Sequence, residues 1–246
     1  ELNMIFSPNV NYQDRTYRNL ILKENLISYN VVIGESDLFI SSEKNLEADV
    51  KKSLLHHRLQ LETYIKKNPI FLKSYLPLPQ DDLAPPIVRD MLEKSSLCGV
   101  GPMAAVAGAV AQFVGQDIGD QVETLIIENG GDIYLSGKHD RIIGIFAGES
   151  PFSNRIGLKV GGAEMPVGVC TSSATVGPSV SLGRADAAVI KAKSAALADA
   201  VATGAGNLVQ GESDLVKALE YAKGIDGVLG VIVIKKDKLA AWGEME

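Results

Sequence analysis

Thr124-Leu125-Ile126-Ile127-Glu128-Asn129-Gly130-Gly131-Asp132-Ile133-Tyr134-Leu135 is the stretch on which the fold hinges. An apolar, β-branched run ends in an acid, an amide and two glycines, and an apolar run then resumes. The first run has the composition of a buried strand. The glycines let the backbone turn, and with no Cβ in the way they let a ligand approach closely. Asn129 and Asp132 carry groups that bond a planar heteroatom edge or a sugar hydroxyl. The same residues also fit a turn or bulge inside a hairpin. Asn129, Gly130, Gly131 and Asp132 are therefore candidate cofactor-binding residues at the end of a strand.

Two small-residue helices flank that stretch. Met103-Ala104-Ala105-Val106-Ala107-Gly108-Ala109-Val110 reads as the first and Leu197-Ala198-Asp199-Ala200-Val201-Ala202-Thr203-Gly204 as the second. The second is followed by an amphipathic helix at 213–223 and the strand Val228 to Ile234. Small side chains let a helix lie close to its neighbour. Two such helices, each ahead of an apolar strand, suggest a duplicated helix-plus-strand unit. Between them lie further strand candidates: Ile142 to Ala147, Arg155 to Val160, Pro166 to Cys170 and Ala185 to Ile190.

Towards the N-terminus, residues 15–40 read as strands, with Thr16-Tyr17 and Val31-Val32-Ile33 β-prone, Gly34 at a turn and Leu38-Phe39-Ile40 resuming the pattern. Residues 43–67 read as a long amphipathic helix, capped by Ser41 or Ser42 and ended by Asn68-Pro69. A Pro-rich loop at 74–86 leads into a short helix from Pro86 to Ser96. Strand and helix runs come in uneven blocks, which favours an α+β fold over a regularly alternating parallel sheet. One domain spanning residues 1–246 is expected.

Composition narrows the function. The chain has 246 residues, 46% hydrophobic and 22% charged, with net charge −6. No basic stretch is present to neutralise a row of phosphates, so nucleic acid is not an expected partner. Lys51-Lys52 and Lys66-Lys67 read as solvated helix faces. Two cysteines, Cys98 and Cys170, imply no disulfide framework, and a reducing cytoplasm is expected. Leu97 to Gly115 carries no charge, but Gly and Ala dominate it and Pro102 interrupts it. It reads as a helix buried in the protein rather than a membrane span. The broad apolar face of the 43–67 helix points to a homo-oligomer.

Asp199 and Thr203 form the sharpest pair. In a helix they share one face, one turn apart. Alanine neighbours offer neither group a polar partner, so the pair looks outward, and a hard cation with oxygen ligands is one candidate. An exposed face, or an ion pair with Arg184 or Lys193, is the alternative. Gly101, Pro102 and Met103 open the first small-residue helix, where free N–H groups suit phosphate. The segment lacks a Walker or Rossmann pattern. Cys170 to Ser179 holds five hydroxyls, and Thr171, Ser172 and Ser173 suit phosphate or ribose. Cys170 itself reads as a buried structural thiol. His56 and His57 point about 100° apart on a helix and are not expected to share a metal. Arg184 and Asp186 share a strand face and are expected to pair with each other.

At these residues the chain resembles the ApbE-like superfamily, the flavin transferases once called thiamine-biosynthesis lipoproteins. Gly130-Gly131-Asp132 is similar to that family's strand end, and Ala198 to Thr203 to its A-D-A-x-A-T helix. The chain resembles more closely an uncharacterised branch, which shares patterns like Val100-Gly101-Pro102-Met103-Ala104-Ala105, Cys170-Thr171-Ser172-Ser173 and Ala185-Asp186-Ala187. The resemblance implies an α+β fold of two related subdomains packed as one unit. It implies that Asp199 and Thr203 coordinate Mg²⁺ on the pyrophosphate of FAD, that the Gly130-Gly131 turn lies beside the flavin, and that FMN is transferred. It implies a small nucleotide-like ligand as partner. Departures from the family are also present. There is no early Met-Gly segment, no His-x-Ile-x-x-Pro-x-x-Gly region, and Val100-Gly101-Pro102 stands where the family has a lysine-glycine pair. The fold and cleft are expected to persist with a changed ligand or reaction. Two alternatives stand beside flavin transfer: an enzyme of the same fold acting on a different small cofactor, with Thr171 to Thr175 replacing the lost flavin contacts, and a non-catalytic oligomeric binding protein in which these motifs pack the core.

Overall fold

A computed structural model describes residues 26–174 and 182–244. The strand expectation at Thr16-Tyr17 and the hydroxyls from Thr175 to Ser179 lie outside the described residues. The described residues begin with a hairpin, β1 (Ile27–Ile33) and β2 (Ser36–Ser42), turned at Gly34, where φ is 56°. Four helices follow: α1 (Glu47–Lys67), α2 (Ile70–Lys73), α3 (Pro86–Cys98) and α4 (Val106–Ile118). Next come β3 (Leu125–Asn129), β4 (Asp132–Ser136), β5 (Arg141–Gly144), β6 (Gly157–Val160), β7 (Val167–Ser172) and β8 (Ala187–Ala192). Helices α5 (Ala195–Leu208) and α6 (Leu215–Lys223) lead to the closing hairpin of β9 (Val228–Lys235) and β10 (Lys238–Trp242).

Eight strands form one antiparallel sheet in the order β1-β2-β3-β4-β7-β8-β9-β10, while β5 and β6 pair separately. The order exposes a repeat. Each half is a hairpin, a helical excursion and a second hairpin, and the halves join where β4 pairs with β7. The duplication is thus larger than the helix-plus-strand unit expected from sequence.

Alternation along the strands sets the layers. Leu125, Ile127, Tyr134, Cys170, Ile190, Val231 and Val233 face the helical core. Ile126, Ile133, Val169, Val189, Ile232 and Ile234 face the other way and pack with Ile143, Leu158 and Val160 of the small sheet. Strands covered on both faces read as unbroken apolar runs, which is why the sequence showed them without a polar side.

Helices α4 and α5 cross over the junction of the halves. A Cβ at Gly108 would lie 2.2 Å from the Ala195 carbonyl oxygen, and one at Gly168 would lie 2.2 Å from the Ala195 Cα. Those glycines let the N-terminus of α5 press against both α4 and β7. Gln112 of α4 completes that contact, its Oε1 accepting from the Ala195 amide at 2.8 Å.

Several expectations are corrected. Ser41 and Ser42 belong to β2, and α1 starts at Glu47, whose amide donates to Asn45 Oδ1 at 2.8 Å rather than to a serine hydroxyl. Strand pairing claims those hydroxyl residues before the helix begins. The Leu97–Gly115 segment is broken rather than one helix: α3 ends at Gly99, where φ is 67°, and a tight 3-10 turn over Pro102–Ala105 precedes α4. Among the described residues no single helix is long and apolar enough to cross a membrane, and the pair around this break is bent by 104°. Asp186 pairs with Lys235 at 3.1 Å instead of Arg184, because β9 lies beside it in the sheet. His57 is buried and bonds Asp117 at 2.9 Å, while His56 bonds Gln60.

Candidate functional site

Strands β3 and β4 meet through a two-residue turn in which Asn129 pairs with Asp132. Gly130 and Gly131 have φ of 69° and 106°, a conformation that costs a residue with a Cβ about 1 kcal/mol or more. The Gly131 amide donates to Glu128 Oε1 at 2.9 Å. Local geometry is therefore the hairpin form of the two readings. Its effect is to raise Asn129 and Asp132 on the helix side of the sheet, at the end nearest the crossing of α4 and α5.

On α5, Asp199, Thr203 and Asn207 follow at one-turn intervals and line a cleft of about 630 Å³. The size falls among clefts that take small ligands or cofactors. Of the residues singled out in the sequence, Gly101, Met103, Asn129, Gly130, Asp132, Thr171, Ser172, Asp199 and Thr203 line it together. Positions separated by up to about a hundred residues in sequence are thus brought to one cavity. Pro102, Gly131 and Ser173 are adjacent to it without lining it. Pro102 is buried in its turn, Gly131 closes the hairpin, and Ser173 Oγ donates to the Asp186 carbonyl at 2.7 Å.

Gly101 has a further reason to be glycine. A Cβ there would lie 1.9 Å from the Ser74 carbonyl oxygen, so the missing side chain admits the chain segment that follows α2. The segment from Leu72 to Tyr75 enters the cleft lining by this contact. Sequence reasoning missed that segment, as well as Glu35, Asp37 and Asn207. Asn207 was legible as the next step of the Asp199–Thr203 stripe. The others reach the cleft only through long-range packing.

The Asp199 carboxylate accepts from the Gly108 amide at 3.0 Å, and the Ala107 amide also bonds it. It therefore occupies N–H groups in the first turn of α4, one short 3-10 turn beyond the Gly101–Met103 opening that the sequence had offered to phosphate. Asn129 Nδ2 donates to the Ala107 carbonyl at 3.1 Å and ties the same helix end to the hairpin. Burial pushes the Asp199 carboxyl up to about 7, against the two amides that favour its charged form. Asp132 is 8% exposed, and its carboxyl is pushed well above the usual carboxylate range, first by burial and then by the charge of Asp199. The Thr171 amide, at 3.3 Å, and the Cys170 thiol partly offset this. Cys170 is itself fully buried, with Sγ 3.3 Å from the Ala195 carbonyl oxygen.

Among the described residues, neither Asp132 nor Asp199 forms an ion pair with a Lys, Arg or His. Two carboxylates that raise each other's energy, beside the Thr203 hydroxyl, make an all-oxygen donor set that suits a hard dication such as Mg²⁺. No group of three or more His, Cys, Asp or Glu side chains gathers as a metal cage among the described residues. A cation here would complete its coordination from water and ligand oxygens, the usual habit of Mg²⁺.

The antiparallel sheet with helices packed on one face matches the fold of solved ApbE proteins, and a family model agrees. The family model described as "AbpE bacteria" matches residues 18–229, and the chain belongs to this family. Its curated relatives include the UPF0280 protein MJ1526 of Methanocaldococcus jannaschii, 42% identical over 221 residues, covering 87% of this chain and 90% of that protein. The UPF0280 protein of Methanothrix thermoacetophila is 39% identical over 207 residues, covering 83% and 86%. Among solved structures, a mutant of the flavin transferase ApbE from Vibrio cholerae superposes with a TM-score of 0.58 at 13% identity, covering 89% of this chain and 97% of that one. The apo flavinyl transferase ApbE of Pseudomonas stutzeri gives 0.55 at 12% identity, covering 88% and 94%. These likenesses establish the fold, while the close relatives place the chain in the UPF0280 branch.

Proposed function

We propose that this chain acts as one ApbE-like domain that binds a phosphorylated, nucleotide-like cofactor together with Mg²⁺, FAD being the first candidate and FMN transfer the candidate reaction. The observation that carries this reading is the Asp132–Asp199 pair: two carboxylates share a ligand-sized cleft, burial opposes their ionisation, and among the described residues neither forms an ion pair with a cationic side chain. A bound dication supplies the missing positive charge and neutralises charge on a phosphate. Likeness to the Vibrio flavin transferase and the Pseudomonas flavinyl transferase puts FAD ahead of other nucleotides.

The chain's own groups have separate tasks. Asp199 is the principal carboxylate ligand, held in place by the Gly108 and Ala107 amides. Asp132 is the second acid, and the Thr203 hydroxyl adds a neutral oxygen. Thr171 and Ser172 present hydroxyls along the same cleft to phosphate or ribose. Without a cation the acid pair retains a proton near neutral pH, because two nearby buried carboxylates resist joint ionisation. Cation binding displaces that proton, so affinity rises with pH.

Calorimetric titration of the purified chain with FAD, in MgCl₂ and then in EDTA, tests this reading. Binding that requires Mg²⁺ and vanishes in Asp199→Asn is expected. Absence of heat or thermal shift with FAD, FMN and ADP in the presence of Mg²⁺ would overturn it.

A further inference from the structure

The cleft holds one basic side chain. Glu35, Asp37, Asp132 and Asp199 line it as acids, and Lys73 lines it as the sole base among the described residues. The acids differ in their commitments. Glu35 is paired with Arg58 at 2.6 Å, and Asp37 has partners of its own. Lys73 has no ion pair and no side-chain hydrogen bond among the described residues.

Its backbone is nonetheless fixed on both sides. Phe71 is 1% exposed and packs edge-to-face on Tyr64, with ring centroids 5.3 Å apart. The Ser74 amide donates to the Ile70 carbonyl at 2.9 Å, and the Ser74 carbonyl sits where a Cβ on Gly101 would be. A packed aromatic ring on one side and a backbone contact on the other hold the Lys73 stem at the cleft. An ammonium on a four-carbon stem is a mobile point charge that reaches an anion without needing one fixed geometry.

A phosphorylated ligand entering this cleft meets two carboxylates, and a single dication does not balance those together with a diphosphate. A further positive group lowers the remaining excess of negative charge. We infer that Lys73 is a ligand-binding residue that pairs with a phosphate oxygen of the ligand, so the cleft favours phosphorylated molecules over unphosphorylated ones. The inference rests on the reading that the cleft holds a phosphorylated ligand with a dication, and it adds which residue reads the phosphate. Charge on the two sides is complementary: the acids take the cation, and Lys73 takes the anion that accompanies it.

The test uses the full chain and inorganic pyrophosphate with MgCl₂ as the probe, with FAD titrated in parallel. Lys73 is exposed, so Lys73→Met is expected to fold and melt like the wild type. Pyrophosphate and FAD are expected to bind Lys73→Met about ten-fold more weakly, the loss of one charge-assisted hydrogen bond, and Lys73→Arg to recover most of it. The wild type's affinity is expected to fall more steeply with KCl than that of Lys73→Met, since one ion contact is gone. If the wild type binds both probes and Lys73→Met binds them equally well, or with the same salt dependence, the role of Lys73 is refuted while the cleft reading stands. If the wild type binds neither probe with Mg²⁺, the reading of the cleft falls and the role of Lys73 with it.

Discussion

Replacing Asp199 by Asn separates a ligand-binding carboxylate from a packing group. Asn keeps an oxygen for the Gly108 amide, 3.0 Å away, and removes the charge. In the folded chain the Asp199 carboxyl lies at about 7, against 3.8 for an ordinary aspartate. A raised folded value means the native state holds the proton longer than the unfolded chain. Stability from this group is fully present below about pH 4 and is lost as pH rises to about 7. The full difference corresponds to about 4 kcal/mol. Because the side chain lines an open cleft, water screens part of this, and about 2 kcal/mol is the expected cost above neutral pH. For a chain of this size that amounts to about 4–8 °C in melting temperature.

Calorimetric melting in EDTA at about pH 4 and about pH 8.5 reads this directly. Asp199→Asn is expected to melt with the wild type at the lower pH and several degrees above it at the higher. Adding MgCl₂ with FAD is expected to raise the wild type and leave the variant unmoved. Equal destabilisation of the variant at both pH values, or an Mg²⁺ response like the wild type's, would refute the reasoning. The first result would make Asp199 a structural cap of α4.

Two further expectations follow from packing and burial. Gly108→Ala places a methyl 2.2 Å from the Ala195 carbonyl oxygen, so α4 and α5 must separate. A loss of about 2 kcal/mol is expected in urea unfolding, and wild-type stability would contradict the close crossing. Lys191 is 1% exposed, with its ammonium 3.0 Å from both Glu164 oxygens. Glu164→Ala leaves that charge buried and unpaired and is expected to cost about 3 kcal/mol, whereas Lys191→Met is expected to be near neutral. The reverse order in a denaturant titration would contradict this.

Local chemistry made part of the site legible. The two glycines after Asn129 marked a strand end because only glycine takes two successive positive φ angles readily. The aspartate within an alanine helix stood out because nothing nearby in sequence could satisfy it. Helix α5 and strands β3 and β9 were legible for the same reason, since small or β-branched runs have few other uses. Strand β10 was not legible: Lys-Leu-Ala-Ala-Trp has no strong alternation, and as an edge strand it faces less packing. The α2 contribution was also hidden. Nothing local in Leu72 to Tyr75 signals a cleft, and Gly101 receives Ser74 only through folding of the intervening helix and Pro-rich loop. Asp199 also showed a second task that sequence could not reveal, because capping α4 depends on where α5 crosses it.

The central claim is that Asp199 grips a cation that accompanies a phosphorylated ligand. Anomalous diffraction from crystals grown with Mn²⁺ and FAD measures that contact most directly. The account predicts a manganese peak bonded to the Asp199 carboxylate, with Thr203 or Asp132 beside it and a phosphate oxygen completing the shell. A cleft holding FAD with no metal at Asp199, or a peak elsewhere while Asp199 bonds only the α4 amides, would contradict it.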